Sequence, residues 1–142
     1  MMLPLRYALR WQVASAALLL IVLAGAMMPA IWFWPDRVRV VGWLHHLDKW
    51  VHLLAFAFLA VWFAGQYRRN SYWRIAAGLA GFGILIELCQ RLVGYRSAEW
   101  LDVGADVAGI VIGLLIGFAG AGGWSQRFEQ RYVMRGADAG ID

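Results

Sequence analysis

The sequence predicts an all-α membrane protein, four transmembrane helices in an up-down bundle, and three observations predict it. Of 142 residues, 62% are hydrophobic and only 15% charged, at a mean hydropathy of +0.59. Soluble domains are roughly 45–50% apolar and about 25% charged. Four apolar runs approach the ~20 residues a helix needs to cross a hydrocarbon core of ~30 Å. Nothing alternates at period two over the ~10 residues of a barrel strand. A chain of this length is read as one domain.

The runs cover residues 13–34, 48–66, 75–93 and 101–121, separated by short polar joints. The first follows Arg6 and Arg10 and contains Ala24-Gly25-Ala26, the small-x-small form of a signal-peptide cleavage site. Its apolar stretch continues through Met27, Ile31, Trp32, Phe33 and Trp34, past the ~7–15 residues of a signal h-region, and so reads as an uncleaved helix. Pro29 should kink or end it. Residues 122–142 form a tail in which Arg127, Arg131 and Arg135 are interspersed with Phe128, Tyr132 and Val133, the pattern of an interfacial segment on anionic lipid. The single cysteine, Cys89, lies in an apolar run; it excludes an intramolecular disulfide and a cysteine-based zinc site, and its expected role is packing.

Net charge is +4 and the pI is near 9.7, yet the 12 arginines and one lysine lie between apolar runs rather than on a basic face. Nucleic acid is therefore not an expected partner. The placement reads as topology. Arg6, Arg10, Arg68, Arg69, Arg74, Arg127, Arg131 and Arg135 fall on one side, and Arg37, Arg39, Lys49, Arg91 and Arg96 on the other, with most of the acids. The positive-inside rule puts both termini in the cytoplasm and the joints at 36–47 and 94–100 outside.

The informative residues form three groups. Asp48, Lys49 and His52 open the second run; Glu87, Gln90 and Arg91 close the third; Arg96, Asp102 and Asp106 surround the start of the fourth. Because successive helices run in opposite directions, all three groups arrive at the same, outer, end. Asp48 and His52 are spaced i,i+4, Glu87 and Gln90 i,i+3, and Asp102 and Asp106 i,i+4, so each pair shares a helix face. Ionisable residues in a spanning helix cost roughly 2.5–3.5 kcal/mol each near its centre, which makes them functional candidates with partners close by. Asp102 and Asp106 are like charges one turn apart, unfavourable unless a cation, an arginine or a retained proton compensates. A divalent metal held by His52 and the carboxylates is the rival explanation, but no HExxH or comparable spacing supports it, so neither metal nor cofactor is expected. Gly109, Gly113 and Gly117 form a small-residue ridge for close helix approach. Its expected partner is the third helix, with Gly78, Gly81 and Gly83.

The pattern Asp48-Lys49-x-x-His52, Ile86-Glu87-x-x-Gln90, Arg96, Trp100-x-Asp102 and Asp106-x-x-Gly109 resembles the VanZ-like family of small bacterial membrane proteins, named for the teicoplanin-resistance protein. The resemblance covers about residues 45–117, with Asp106 standing where the family usually has Asn. It implies a four-helix membrane domain of the bacterial cytoplasmic membrane, sometimes linked to glycopeptide resistance, in a group suspected of acting on lipid head groups.

Two functions from different classes follow. The first is a hydrolase or transferase acting in the outer leaflet on a phosphate-bearing phospholipid or polyprenyl-linked head group. In that reading His52 is the acid/base or nucleophile, oriented by Asp48, Glu87 or Asp102, and Lys49, Arg91 and Arg96 hold phosphate, with Gln90 and Asp106 lining the substrate site. The second is a non-catalytic protein that binds a cell-wall precursor or glycopeptide and serves resistance or envelope assembly. A transporter ranks below both, because midplane sites, broken helices and internal repeats are not visible.

Overall fold

The computed structural model describes residues 1–28, 37–93 and 100–138, with backbone alone at 37–47, 93 and 133–138. Among these described residues there are five helices: α1 (Ala8–Met27), α2 (Arg37–Gln66), α3 (Tyr72–Val93), α4 (Trp100–Ile116) and α5 (Trp124–Asp138). A short 3-10 turn, Arg69–Ser71, leads into α3, and a π turn, Gly117–Ala121, closes α4. Four stretches are long and apolar enough to cross a membrane: Ala8–Met27, Asp48–Gln66, Arg69–Leu92 and Trp100–Ala121. Among the described residues there is no strand beyond an isolated bridge between Met2 and Tyr67.

Helix α1 starts earlier than the hydropathy suggested and closes at Met27. Met28 is extended (ψ 133°), the conformation imposed on a residue that precedes proline. The expectation that the first span continues through Trp34 falls on residues outside the described ones. Helix α1 is mostly exposed, as a lipid-facing helix should be, and is pinned by polar groups. The Ser15 hydroxyl is within hydrogen-bonding distance of Gln66 Oε1 (3.2 Å) and accepts from Gln66 Nε2 (3.0 Å) and Trp62 Nε1 (2.9 Å).

The bundle core follows helical periodicity on three helices. Residues His52, Phe56, Leu59, Ala60 and Ala64 are buried on α2; Ile75, Leu79, Ile86, Glu87 and Gln90 on α3; Asp102, Asp106, Gly109, Ile110 and Gly113 on α4. The glycine ridge packs on α2, which corrects the expectation of α3 as its partner. A Cβ at Gly109 would overlap the backbone of Leu53 and Ala57, and one at Gly113 would overlap Ala57 and Ala60. Small residues on both helices let the two backbones touch, which is how close packing is achieved without a hydrophobic driving force in lipid. Gly78 and Gly81 have open space around them.

The tail is also more ordered in its connections than an interfacial segment. The chain leaves α4 through Gly120 (φ 135°) and Gly123 (φ 73°), conformations that side chains with a Cβ rarely adopt. Helix α5 then docks against the same end of the bundle as the N-terminus. Trp124 Nε1 donates to Val61 O (3.2 Å) and Ser125 Oγ to Gly65 O (2.5 Å). The Glu129 carboxylate accepts from the backbone N–H of Arg6 (2.7 Å) and Tyr7 (3.0 Å) and from Trp11 Nε1 (2.8 Å). Burial of Glu129 works to raise its pKa, but these three donors and the nearby Arg6 outweigh it and hold the carboxyl below the usual glutamate value.

Candidate functional site

The three helix ends that carry the polar groups meet. Glu87 lies six residues before the end of α3 and Asp106 six residues after the start of α4, so both sit about 9 Å below their helix ends at 1.5 Å per residue. Equal depth on antiparallel neighbours puts them in one layer. His52 of α2 enters that layer: its Nδ1 is 2.9 Å from Asp106 Oδ1, with His52 5% and Asp106 1% exposed. An ionised carboxylate can only accept, so in that state Nδ1 carries the proton, and in the neutral imidazole Nε2 keeps its lone pair.

One turn nearer the helix ends, Lys49 Nζ is 3.6 Å from Asp102 Oδ1. The two α2–α4 pairs thus repeat at i,i+3 on α2 and i,i+4 on α4, with the lysine ammonium supplying positive charge beside the adjacent aspartates. Asp48, half-buried, joins this layer. One ligand atom each from Asp48, His52 and Asp102 lies within 4.8 Å of the other two, near enough to share one cation. These are the residues that could hold a metal, and Lys49 is its competitor at Asp102.

Helix α3 closes the third side through a glycine. A Cβ at Gly83 would lie 2.5 Å from Asp106 Oδ2 and 3.4 Å from the Phe56 ring, so only glycine lets α3 approach the buried carboxylate. Glu87 is one turn further along the same face of α3. It lines a narrow cleft of ≈ 30 Å³ between α3 and α4 with Ile84, Leu88, Arg91, Trp100 and Val103. That volume is about the share of one water molecule in the liquid. The cleft opens between half-exposed Leu88 and exposed Trp100, and the Arg91 guanidinium carbon stands 5.3 Å from the Trp100 ring centre.

The structure therefore brings together Asp48, Lys49, His52, Asp102 and Asp106, with Glu87 and Arg91 at the neighbouring cleft. The carboxylate at His52 Nδ1 is Asp106, a residue the sequence assigns to the substrate site, rather than Asp48, Glu87 or Asp102, which helical spacing offers to orient the imidazole. Gln90 is fully buried and gives its Nε2 to Ala26 O of α1 (3.1 Å), which fastens α1 to α3 beside the site. Arg96 lies outside the described residues. Gly83 is the position sequence reasoning missed; its spacing of four before Glu87 was the available signal, and it was absorbed into a supposed helix-packing ridge.

The chain is thus a multi-pass helical membrane protein with a buried histidine and carboxylate cluster at one end of three of its helices. Residues 5–120 match the VanZ/LLP1 family. The chain belongs to that family. No curated protein and no solved structure matches it.

Proposed function

We propose that this chain is a head-group hydrolase or transferase that works on a phosphate-bearing lipid or lipid-linked substrate. Its site faces the outer leaflet of a bacterial cytoplasmic membrane, and both chain termini lie in the cytoplasm. The observation that carries the reading is the buried His52–Asp106 pair at 2.9 Å. A carboxylate on Nδ1 fixes the imidazole tautomer and orientation and leaves Nε2 to act as a base or nucleophile, the logic of oriented catalytic histidines in general.

The chemistry assigned to the other residues follows from their type and position. Lys49 and Arg91 provide positive charge for a phosphoryl group, Arg91 with the geometry for bidentate contact. In this reading His52 Nε2 takes the proton of an attacking hydroxyl, and Glu87, protonated at the start, gives its proton to the departing alkoxide. The cleft between α3 and α4 has room for about one water, so in this reading it widens at its rim of Leu88 and Trp100 for a head group to meet Glu87. The match to the family supports a membrane protein of this kind, and the head-group chemistry rests on the site.

The test is a comparison of total lipid extracts by mass spectrometry. A strain lacking the protein is complemented with wild type or with His52→Ala, each at equal membrane abundance. The expected result is that one class of phosphate-bearing lipid changes its head group only with wild type. Identical lipid profiles, with any glycopeptide or envelope phenotype retained by His52→Ala, would favour the non-catalytic binding role instead.

A further inference from the structure

The opposite end of the bundle carries a second, unrelated arrangement. A cavity of ≈ 270 Å³ lies where the N-terminal segment, the α2–α3 joint and the first turns of α5 meet. Arg68, Arg69 and Arg127 line it, together with Tyr67, Gln126 and Gln130. Every one of these side chains can donate a hydrogen bond, and none of the residues lining the cavity is acidic.

Among the described residues no carboxylate in the cavity lining compensates that charge. Glu129 is the only acidic residue within 1–28, 66–76 and 117–132. Its carboxylate is taken up by the N–H groups of Arg6, Tyr7 and Trp11, on the α1 side of α5. Residues 126, 127 and 130, spaced i, i+1 and i+4, face the cavity instead. Arg127 is held in place: Nη1 donates to Gly122 O (2.9 Å), and Nη2 to Gly120 O (2.9 Å) and Ala121 O (3.3 Å). One guanidinium is thus fixed at the wall while Arg68 and Arg69, both exposed, can close over a ligand.

We infer that this cavity is a binding site for a phosphate monoester, distinct from the histidine site and independent of what that site does. Three guanidinium groups without a carboxylate match a group carrying nearly two negative charges and three acceptor oxygens at neutral pH. The phosphate can belong to a lipid such as phosphatidic acid in the adjacent leaflet, or to a soluble phosphate ester; the recognising chemistry is the same.

The full-length protein in phosphatidylcholine nanodiscs is titrated with phosphatidic acid, read by native mass spectrometry, and with glycerol 3-phosphate, read by calorimetry. The Arg68→Gln/Arg69→Gln double variant is compared with Arg74→Gln/Arg131→Gln, which removes two exposed charges outside the cavity lining. Saturable binding that falls about tenfold or more in the first double variant and less than about twofold in the second establishes the site. Binding of phosphatidic acid alone assigns it to a lipid head group, and binding of glycerol 3-phosphate to a phosphate ester in either setting. Equal losses in the two double variants would reduce the effect to general surface charge and overturn the proposal, as would binding of neither probe.

Discussion

At one end of the bundle His52, Asp102 and Asp106 are buried to 5%, 3% and 1% exposure and face one another across α2 and α4. At the other end Arg68, Arg69, Arg74 and Arg127 are exposed, and the buried carboxylate, Glu129, is satisfied by backbone and indole donors. Both ends contain charge, but at the first the ionisable side chains lie inside membrane-spanning helices, up to about 9 Å below the ends of α3 and α4, where each carries a cost. The second uses charge at its surface and spends its buried acid on holding α5 to α1. The proposed function assigns the buried layer to chemistry, while the Glu129 contacts hold the fold together, and each of the following variants tests that division.

The largest effects should come from the buried layer. His52→Asn places an amide N–H near the position of Nδ1 and so retains a partner for Asp106 while removing Nε2. It should lower head-group turnover by about 10²- to 10⁴-fold with insertion unchanged. Glu87→Gln should act in the same direction. Asp106→Asn should be milder than Asp106→Ala, because the amide oxygen can still accept from Nδ1–H; kinetics of the two variants side by side measure the gap. Equal losses would mean that the charge of Asp106, rather than its hydrogen bond to His52, is what matters.

Between the ends runs the glycine ridge. Gly109→Leu and Gly113→Leu should each destabilise the protein by about 1–3 kcal/mol, because the new side chain meets the backbone of α2 and the two helices must separate. Gly78→Leu and Gly81→Leu, in open space, are the controls and should be near neutral in thermal unfolding in detergent. Gly120 does not serve as a control, since its φ of 135° strains any residue with a Cβ.

At the second end, Glu129→Gln should weaken the docking of α5 by about 1–3 kcal/mol. The pH dependence has a definite sign. Because the folded carboxyl titrates below its unfolded value, its contribution is present at neutral pH and is lost as pH falls through the acidic range to the folded pKa. Wild type should therefore lose α5 protection in hydrogen exchange on acidification, and Glu129→Gln should show a flatter profile. The smallest perturbation tests topology: Asn70→Cys is exposed, unlike buried Ser71, and should label only from the cytoplasmic side.

Much of this was legible from residue order alone, for particular reasons. The four apolar spans follow from length and composition, and the meeting of Asp48, Lys49, His52, Glu87, Asp102 and Asp106 follows from alternation of helix direction. Which helices touch is a different matter. The ridge at Gly109, Gly113 and Gly117 announces a close neighbour without naming it, because Ala57, Ala60 and Ala64 on α2 read as ordinary apolar residues while the glycines of α3 draw the eye. His52 had four carboxylates within reach, and helical spacing does not rank contacts between helices. Nothing in the sequence singles out Glu129; its role depends on backbone N–H groups of residues 6 and 7, which no side-chain pattern reveals.

The most direct test of the central claim is head-group turnover by purified protein in vesicles that contain phospholipid and polyprenyl phosphate carriers, with wild type and His52→Asn at equal insertion. Wild type should release or transfer a head group and His52→Asn should not, with both proteins unfolding at similar temperatures. Turnover by His52→Asn at the wild-type rate, or none by either protein across those lipids, would contradict that claim.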